Sequence, residues 1–502
     1  MQRRHLLSAL ASAGFACTLP TTARAKPAQA NAFAAAVINQ PLLTPFKGVT
    51  DSSGDCNAGP LVTGGKWPQA LQGRFYRNGP ALYERAGERY QHWFDGDGMV
   101  QQFTFTGGRI QHRGRLVRTS KLAAEQKAGR FLMQAFGTSI EGRANGSGPD
   151  SRNPANTNAL EHAGRVLAMW EGGSAYALNP FDLATQGPVV WRKDLQEVPF
   201  SAHPKVDASG HLWNIGTAGD KIIVWHIEPH GALVNVQVGP SPYPGGMAHD
   251  VAVTERYIVL PLPPVKLQFG APSDGPRQFA LQAGQPLRVL VMDKADISRR
   301  RVFELPSQMV FHVGNAYETH DGQIVLSFIG ATDTWFLNEG AVAVMQGRPG
   351  QTGQVHTHIA RLDMANTKAT VEAFEGETEF PRIDPRRIGV RARWLLTGAA
   401  WKHTAGRQNA LLHGLQMLDV ESGRTRRFDY GAQVVVEEHI LVPKPGKTGE
   451  LDAWLLGTTF DAAEQATKLN LLDAAHMEDG PIAQATLPYV LPLGFHGNFT
   501  AA

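Results

Sequence analysis

Four histidines stand in surroundings unlike the rest of this chain: His203 in SAHPKVD, His249 in MAHDVAVTERY, His312 in FHVGNAYE and His496 in PLGFHGNF. Imidazole is the commonest metal ligand, so a converging set of this kind would make a metal centre. Their separations of 46, 63 and 184 residues are too wide for a zinc finger or a helical His-Glu-x-x-His pair. They suit ligands donated by distant parts of a fold that meet at one point. Fe, Zn and Cu all accept imidazole, so residue type alone leaves the metal open. Most of the 18 histidines need no such role. His356 and His358 in VHTHIA would share one face of a strand and could chelate, but core or surface placement is the commoner fate of such a pair.

Ligands so far apart need a scaffold that returns the chain repeatedly to one place. An apolar, β-rich run that ends at a polar corner, followed by a second short β-like run, occurs seven times. The corners are Thr106, Asn179, Glu228, Asp293, Asp363, Asp419 and Asp473, spaced 73, 49, 65, 70, 56 and 54 residues apart. Period-2 strands with Gly, Asn and Asp corners imply antiparallel hairpins. A loose repeat of this length predicts an all-β fold, a β-propeller whose blades carry long loops. The clearest helical signal runs from Ser120 to Phe136, with Ser120 as its N-cap. Asp95-Gly96-Asp97-Gly98 lacks the spacing and closing Glu of an EF-hand and reads as a tight turn in the first blade.

Residues 1–25 read as a secretory signal peptide. Arg3 and Arg4 form a basic start, a weakly apolar run extends from Leu6 to Leu19, and Ala23-Arg24-Ala25 is a small-residue cleavage signature. The adjacent arginines favour the twin-arginine route to the periplasm. Residues 26–502 carry no Pro/Ser/Gly tract or charge block and read as a single domain. The leader holds three arginines and no acids, so the formal charge of +3 belongs to it and the remainder is near neutral. That balance excludes a nucleic-acid stripe. Cys56 is the one cysteine left, so no intrachain disulfide forms and stability rests on a large core.

The motifs GRFYRNGP, HWFDGDGMV, NPANTN, AMWEGG, SAHPKVD, AHDVAVT, FHVGNAYE, EFPRID, EEHILVPKPG and GFHGNF follow one another from Gly73 to Phe499. In this order they resemble the carotenoid cleavage oxygenases, a family that includes lignostilbene dioxygenases, and the resemblance covers essentially all of residues 26–502. It implies a seven-bladed β-propeller with a small helical cap over an axial Fe(II). The implied ligands are His203, His249, His312 and His496. Three implied glutamates orient them: Glu171 on His249, Glu379 on His312 and Glu438 on His496, with Glu437 in the last role if the register shifts by one. A carboxylate on the distal ring N–H fixes the tautomer and raises ligand basicity. Thr157 in NPANTN matches a position whose methyl closes one coordination site. The chain departs from the pattern at Ala81-Leu82 after RNGP and at Glu450-Leu451-Asp452-Ala453, neither of which touches a ligand motif.

The resemblance further implies O2-dependent scission of a carbon–carbon double bond into two carbonyl products. The favoured substrate is an apolar polyene such as an apocarotenoid, and the alternative is a hydroxylated stilbene. Stilbene cleavers carry a lysine just upstream of the ANT segment, and GRANGSGPDSRNPANTN has none. A non-catalytic propeller binding module would explain the blades but not the histidines. Substrate that partitions into lipid suggests peripheral membrane contact, with an apolar mouth at Phe131, Leu132, Met133 and Phe136 or at Leu267 and Phe269. The oligomeric state is left open.

Overall fold

The computed structural model describes residues 27–140, 144, 146–268, 278–348, 355–401 and 411–502. Its strands form seven sheets of four or five antiparallel strands, arranged as the blades of a propeller, plus two small hairpins. Each blade contributes one strand to the wall of an axial channel. These inner strands are β1 (Asn158–His162), β2 (Lys205–Val206), β3 (Ala252–Val253), β4 (Met309–Glu318), β5 (Glu377–Arg382), β6 (Val434–Pro443) and β7 (His496–Ala501). The seven polar corners lie at the outer hairpins of the seven blades. The Asp and Asn corners hold their own turns: Asp293, Asp363, Asp419 and Asp473 each accept a backbone N–H two residues on, as does Asn179.

Alternation explains how blades stack without a common centre. In Lys221–Ile227, Ile223, Trp225 and Ile227 pack against the preceding blade, with Leu167, Met169 and Phe200. Ile222 and Val224 turn the other way, onto Ile258, Leu260 and Leu290 of the following blade. A strand sandwiched between two sheets is apolar on both faces, which is why IIVW reads as a continuous run. The ring is closed twice. The last strand, β7, pairs with Gly73–Leu82 of the first blade, and Val62–Gly65 pairs with Pro481–Thr486 of the seventh.

A cap covers one end of the ring. It includes helix α1 (Pro27–Asn39), whose Phe33 and Val37 pack with Phe46, Trp93, Met345 and Phe495. It also includes helix α2 (Ser120–Ala128) and the turns Phe336–Gly340 and Ala341–Met345. The sequence expectation for α2 needs correction at both ends. Thr119 is the N-cap, its hydroxyl accepting from Leu122 N at 3.1 Å. The helix stops at Gly129, in the left-handed region at φ 65°, well short of Phe136. Beyond it, Leu132 and Met133 N–H groups donate to Glu125 Oε1. Phe131 is therefore no membrane-facing residue: it is 1 % exposed and stacks on Tyr90 at 3.9 Å. Phe136 also faces inward, stacked on Phe279 at 5.2 Å. Leu267 lies in the hairpin strand Val265–Gln268, paired with Gln278–Leu281. Phe269 lies outside the described residues, as do residues 1–25.

A buried ionic cluster fastens α2 to the first blade. Lys121 Nζ lies 2.7 Å from Asp97, 3.0 Å from Glu125 and 3.0 Å from Tyr90 Oη, all at or below 2 % exposure. Asp95 accepts from Gly137 N and from the Thr138 hydroxyl. The DGDG run thus spends its carboxylates on the protein and ties blade to cap. Gly98 packs so close to Ala155 that a Cβ there would come 2.2 Å from its carbonyl oxygen, which interlocks this run with NPANTN.

Candidate metal centre

Three inner strands are bulged where the chemistry-bearing residues lie. In β4, Phe311 and His312 together oppose the single Ile329; in β5, Phe380 and Pro381 oppose Thr397; in β6, Glu437 and Glu438 oppose Thr458. A bulge breaks the two-residue alternation and re-aims side chains at one level of the sheet. His203 and His249 sit just before β2 and β3, and His496 opens β7. All four residues are at most 8 % exposed.

Their Nε2 atoms converge. His203 Nε2 lies 3.0 Å from His249 Nε2, which lies 3.3 Å from His312 Nε2. Donor atoms of His203, His312 and His496 lie within 4.8 Å of one another. The opposite ring nitrogens are held by carboxylates: His249 Nδ1 lies 2.5 Å from Glu171 Oε1, His312 Nδ1 2.6 Å from Glu379 Oε2, and His496 Nδ1 2.9 Å from Glu438 Oε1. Among the described residues none supplies a carboxylate to His203. A proton at Nδ1 leaves a lone pair at Nε2, so His249 and His312 point lone pairs at each other across 3.3 Å. A cation held between them would relieve that opposition. Imidazole nitrogens bind first-row metals at about 2.0–2.1 Å, which sets neighbouring donors roughly 3 Å apart at a right angle. The residues fit a metal ion.

The surroundings shift the charge states of these groups in different directions. Burial, then the other three histidines, hold His203 well below the ordinary imidazole range. Burial lowers His496 to about 4, with Glu438 opposing and His312 and Arg382 assisting. Burial also acts on His249, but the adjacent Glu171 outweighs it and leaves that ring above its ordinary value. The carboxylate of Glu438 is penalised by burial, yet Arg382 and then His496 hold its pKa well below the usual range.

The bulge in β6 resolves the two adjacent glutamates. Glu438 takes His496 Nδ1, Gly497 N at 2.8 Å and Arg382 Nε at 2.9 Å. Glu437 turns to Thr458, Gly494 N and Arg77, the last at 3.3 Å. Thr157 lies beside the histidines in the cavity wall, its hydroxyl donating to Asn156 Oδ1 at 3.2 Å. His356 and His358 bond to the carbonyls of Gly376 and His356 at 2.9 Å each and stand apart from the centre.

Sequence reasoning missed a brace behind the ligands. Asp250 bonds Lys205 Nζ at 2.9 Å, Val251 N at 2.6 Å and Val313 N at 2.7 Å. It therefore links the segments of His203, His249 and His312. Its signal was its place: it follows His249 directly, and Lys205 follows His203 by two. Arg382 was missed too, although EFPRID contains it.

His249, His312 and His496 form the floor of an apolar cavity of ≈ 200 Å³, while His203 faces the axial channel behind them. Phe94 is the hub of its aromatic wall, with ring centroids 5.6 Å from Phe136, 6.4 Å from Phe311, 6.1 Å from Phe336 and 5.3 Å from Phe495. No Lys or Arg lines it among the described residues.

Fold and centre together define a class: a seven-bladed propeller that holds an imidazole cluster on its axis beneath an apolar cavity. Residues 52–501 match the family described as retinal pigment epithelial membrane protein. The chain is 31% identical to the apocarotenoid-15,15'-oxygenase of Synechocystis over 87% of its own length and 91% of that protein. It is 27% identical to lignostilbene-alpha,beta-dioxygenase isozyme III of Sphingomonas paucimobilis, over 88% and 94% of the two chains. The solved structure of the cobalt-substituted Synechocystis apocarotenoid oxygenase superposes with a TM-score of 0.80 at 26% identity, covering 92% of this chain and 99% of that one. The chain belongs to this family, the carotenoid cleavage oxygenases, and is an oxygenase.

Proposed function

We propose that this chain is a non-haem Fe(II) dioxygenase that cleaves one carbon–carbon double bond of an apocarotenoid-like polyene into two carbonyl products. The observation that carries the reading is the convergence of four imidazoles, three tied to carboxylates, at the base of an apolar cavity that His249, His312 and His496 line. His203, His249, His312 and His496 would hold the ferrous ion, which supplies the place where dioxygen is activated. Glu171, Glu379 and Glu438 keep a proton on each Nδ1 and so aim each Nε2 inward. Thr157, in the cavity wall, would limit access to the ion with its methyl. The wall around Phe94 excludes water and aligns a linear apolar chain over the histidines.

A hydroxystilbene is the alternative substrate, and a relative of that name supports keeping it in the test. The absence of Lys and Arg among the described cavity residues favours the polyene, because a phenol gains from a cationic partner. Metal analysis of the purified protein, followed by parallel assays with an apocarotenal and a hydroxylated stilbene, separates the readings. Near-stoichiometric iron and apocarotenal cleavage are expected. Calcium or no metal would remove the mechanism, and faster stilbene cleavage would reverse the substrate assignment.

Export to the periplasm through residues 1–25 is part of the same proposal. Cleavage after Ala25 leaves every described element intact, since α1 begins at Pro27. No helix among the described residues is long and apolar enough to cross a membrane. Peripheral contact with lipid at the cavity mouth fits an apolar substrate, although Phe131 and Phe136 are turned inward.

A further inference from the structure

We propose that Phe380 is the partition that seals the apolar cavity from a water-accessible channel along the propeller axis. That channel, ≈ 350 Å³, lies on the far side of the histidines and is walled by all seven inner strands. Its lining is the more polar of the two and the only one of them with cationic side chains among the described residues: Glu161, Lys205, Asp207, Asp250 and Arg382 face it. The charged side chains of the cavity's lining are carboxylates such as Glu171 and Glu379. Only three of the described residues border both spaces, His312, Phe380 and His496. The two histidines have their ring nitrogens committed, to carboxylates at Nδ1 and to the centre at Nε2. Phe380 has no donor atom at all, so closure is what its ring contributes.

The packing supports that reading. The ring stacks beside His312 at 5.6 Å with an interplanar angle of 28° and meets His496 edge-on at 5.4 Å. Around it the chain changes sides: Glu379 lines the cavity, whereas Pro381 and Arg382 line the channel. The backbone shows that the ring is kept against a local preference. Phe380 has φ +58°, a region that a bulky L residue rarely adopts and that Gly or Asn would occupy without difficulty. Its N–H is fixed by Glu379 Oε2 at 2.5 Å, and the bulge in β5 supplies the extra residue. Strain retained at a site points to a role for the residue that bears it. Here the role is to keep channel water from the space where a polyene lies. The inference concerns the two cavities and holds for metal-free protein, so it stands apart from the identity of the metal and substrate.

The test uses metal-free full-length protein with 1,6-diphenyl-1,3,5-hexatriene, a neutral linear fluorescent polyene, in the apolar cavity. Acrylamide, small and water-soluble, serves as the quencher. F380L keeps most of the side-chain bulk, F380A removes it, and F380G removes it while also relieving the backbone. Quenching of the bound probe should rise several-fold in F380A and F380G and stay at the wild-type level in F380L. Because F380G removes strain, it keeps the test decisive if F380A fails to fold. Equal quenching in wild type and F380G overturns the proposal. So does strong quenching in F380L, which would mean that the ring supports His312 and His496 without sealing anything. A wild-type cavity that does not bind or shield the probe also counts against it.

Discussion

Asp250 reaches the segments of three histidines at once, so its loss should loosen the centre without removing a ligand. Asp250→Asn keeps the volume but gives up the ion pair with Lys205 and one of the backbone bonds at Val251 or Val313. Metal affinity should fall by roughly 10- to 100-fold, the scale for residues that orient ligands, measured by competition with a chelator. The adjacent glutamates of β6 make a sharper comparison. Glu438→Gln should weaken metal binding on the same scale, because His496 loses its carboxylate. Glu437→Gln should act chiefly on stability, through Arg77, Thr458 and Gly494. Equal metal affinities in these two variants would refute the assignment. The four histidines, Glu171 and Glu379 were named from motif order and the resemblance it carries, whereas Glu438 was not separated from Glu437. Asp250 and Arg382 were not named, because their importance lies in contacts between motifs, which a single sequence does not display.

At the scale of elements, five of the seven corners were readable because Asp and Asn satisfy their own turns, a local preference that tertiary structure did not need to override. Bulges were not readable: one extra residue in β4, β5 or β6 leaves no mark in a pattern of alternation, which is why Glu437 and Glu438 remained ambiguous. The length of α2 was misread for a related reason. The apolar residues after Gly129 keep helical spacing, yet Glu125 captures the Leu132 and Met133 N–H groups and redirects the chain. The ionic cluster under α2 yields a graded prediction. Lys121→Met leaves Asp97 and Glu125 buried without their cation and should cost about 3–5 kcal/mol, read as a lowered Tm. Asp97→Asn should cost less than that, because burial, reinforced by Glu125 against the pull of Lys121, already raises the Asp97 pKa and disfavours its charge. Phe131→Asp should lower stability and every activity together, since its ring is packed against Tyr90 and not against lipid.

The whole molecule is a ring that the two ends of the sequence close together. Export of the intact enzyme is tested by fusing residues 1–25 to a reporter. Transport should occur and should stop when Arg3 and Arg4 become Lys; transport that survives through the general secretory machinery would reassign the pathway. Ring closure makes a second prediction. A chain cut after Phe495 lacks both the strand that pairs with Gly73–Leu82 and the fourth histidine. It should bind no iron at concentrations that saturate the full protein, and its unfolding should begin in the first blade, read by hydrogen exchange. The placement of His496 on the closing strand also has a meaning in time. During synthesis His203, His249 and His312 leave the ribosome long before His496, so a growing chain offers only a partial set of imidazoles. The centre becomes competent at nearly the same moment as the ring. On the proposed assignment, metal occupancy would thereby record completed manufacture: a truncated or unclosed chain would leave the assembly line empty.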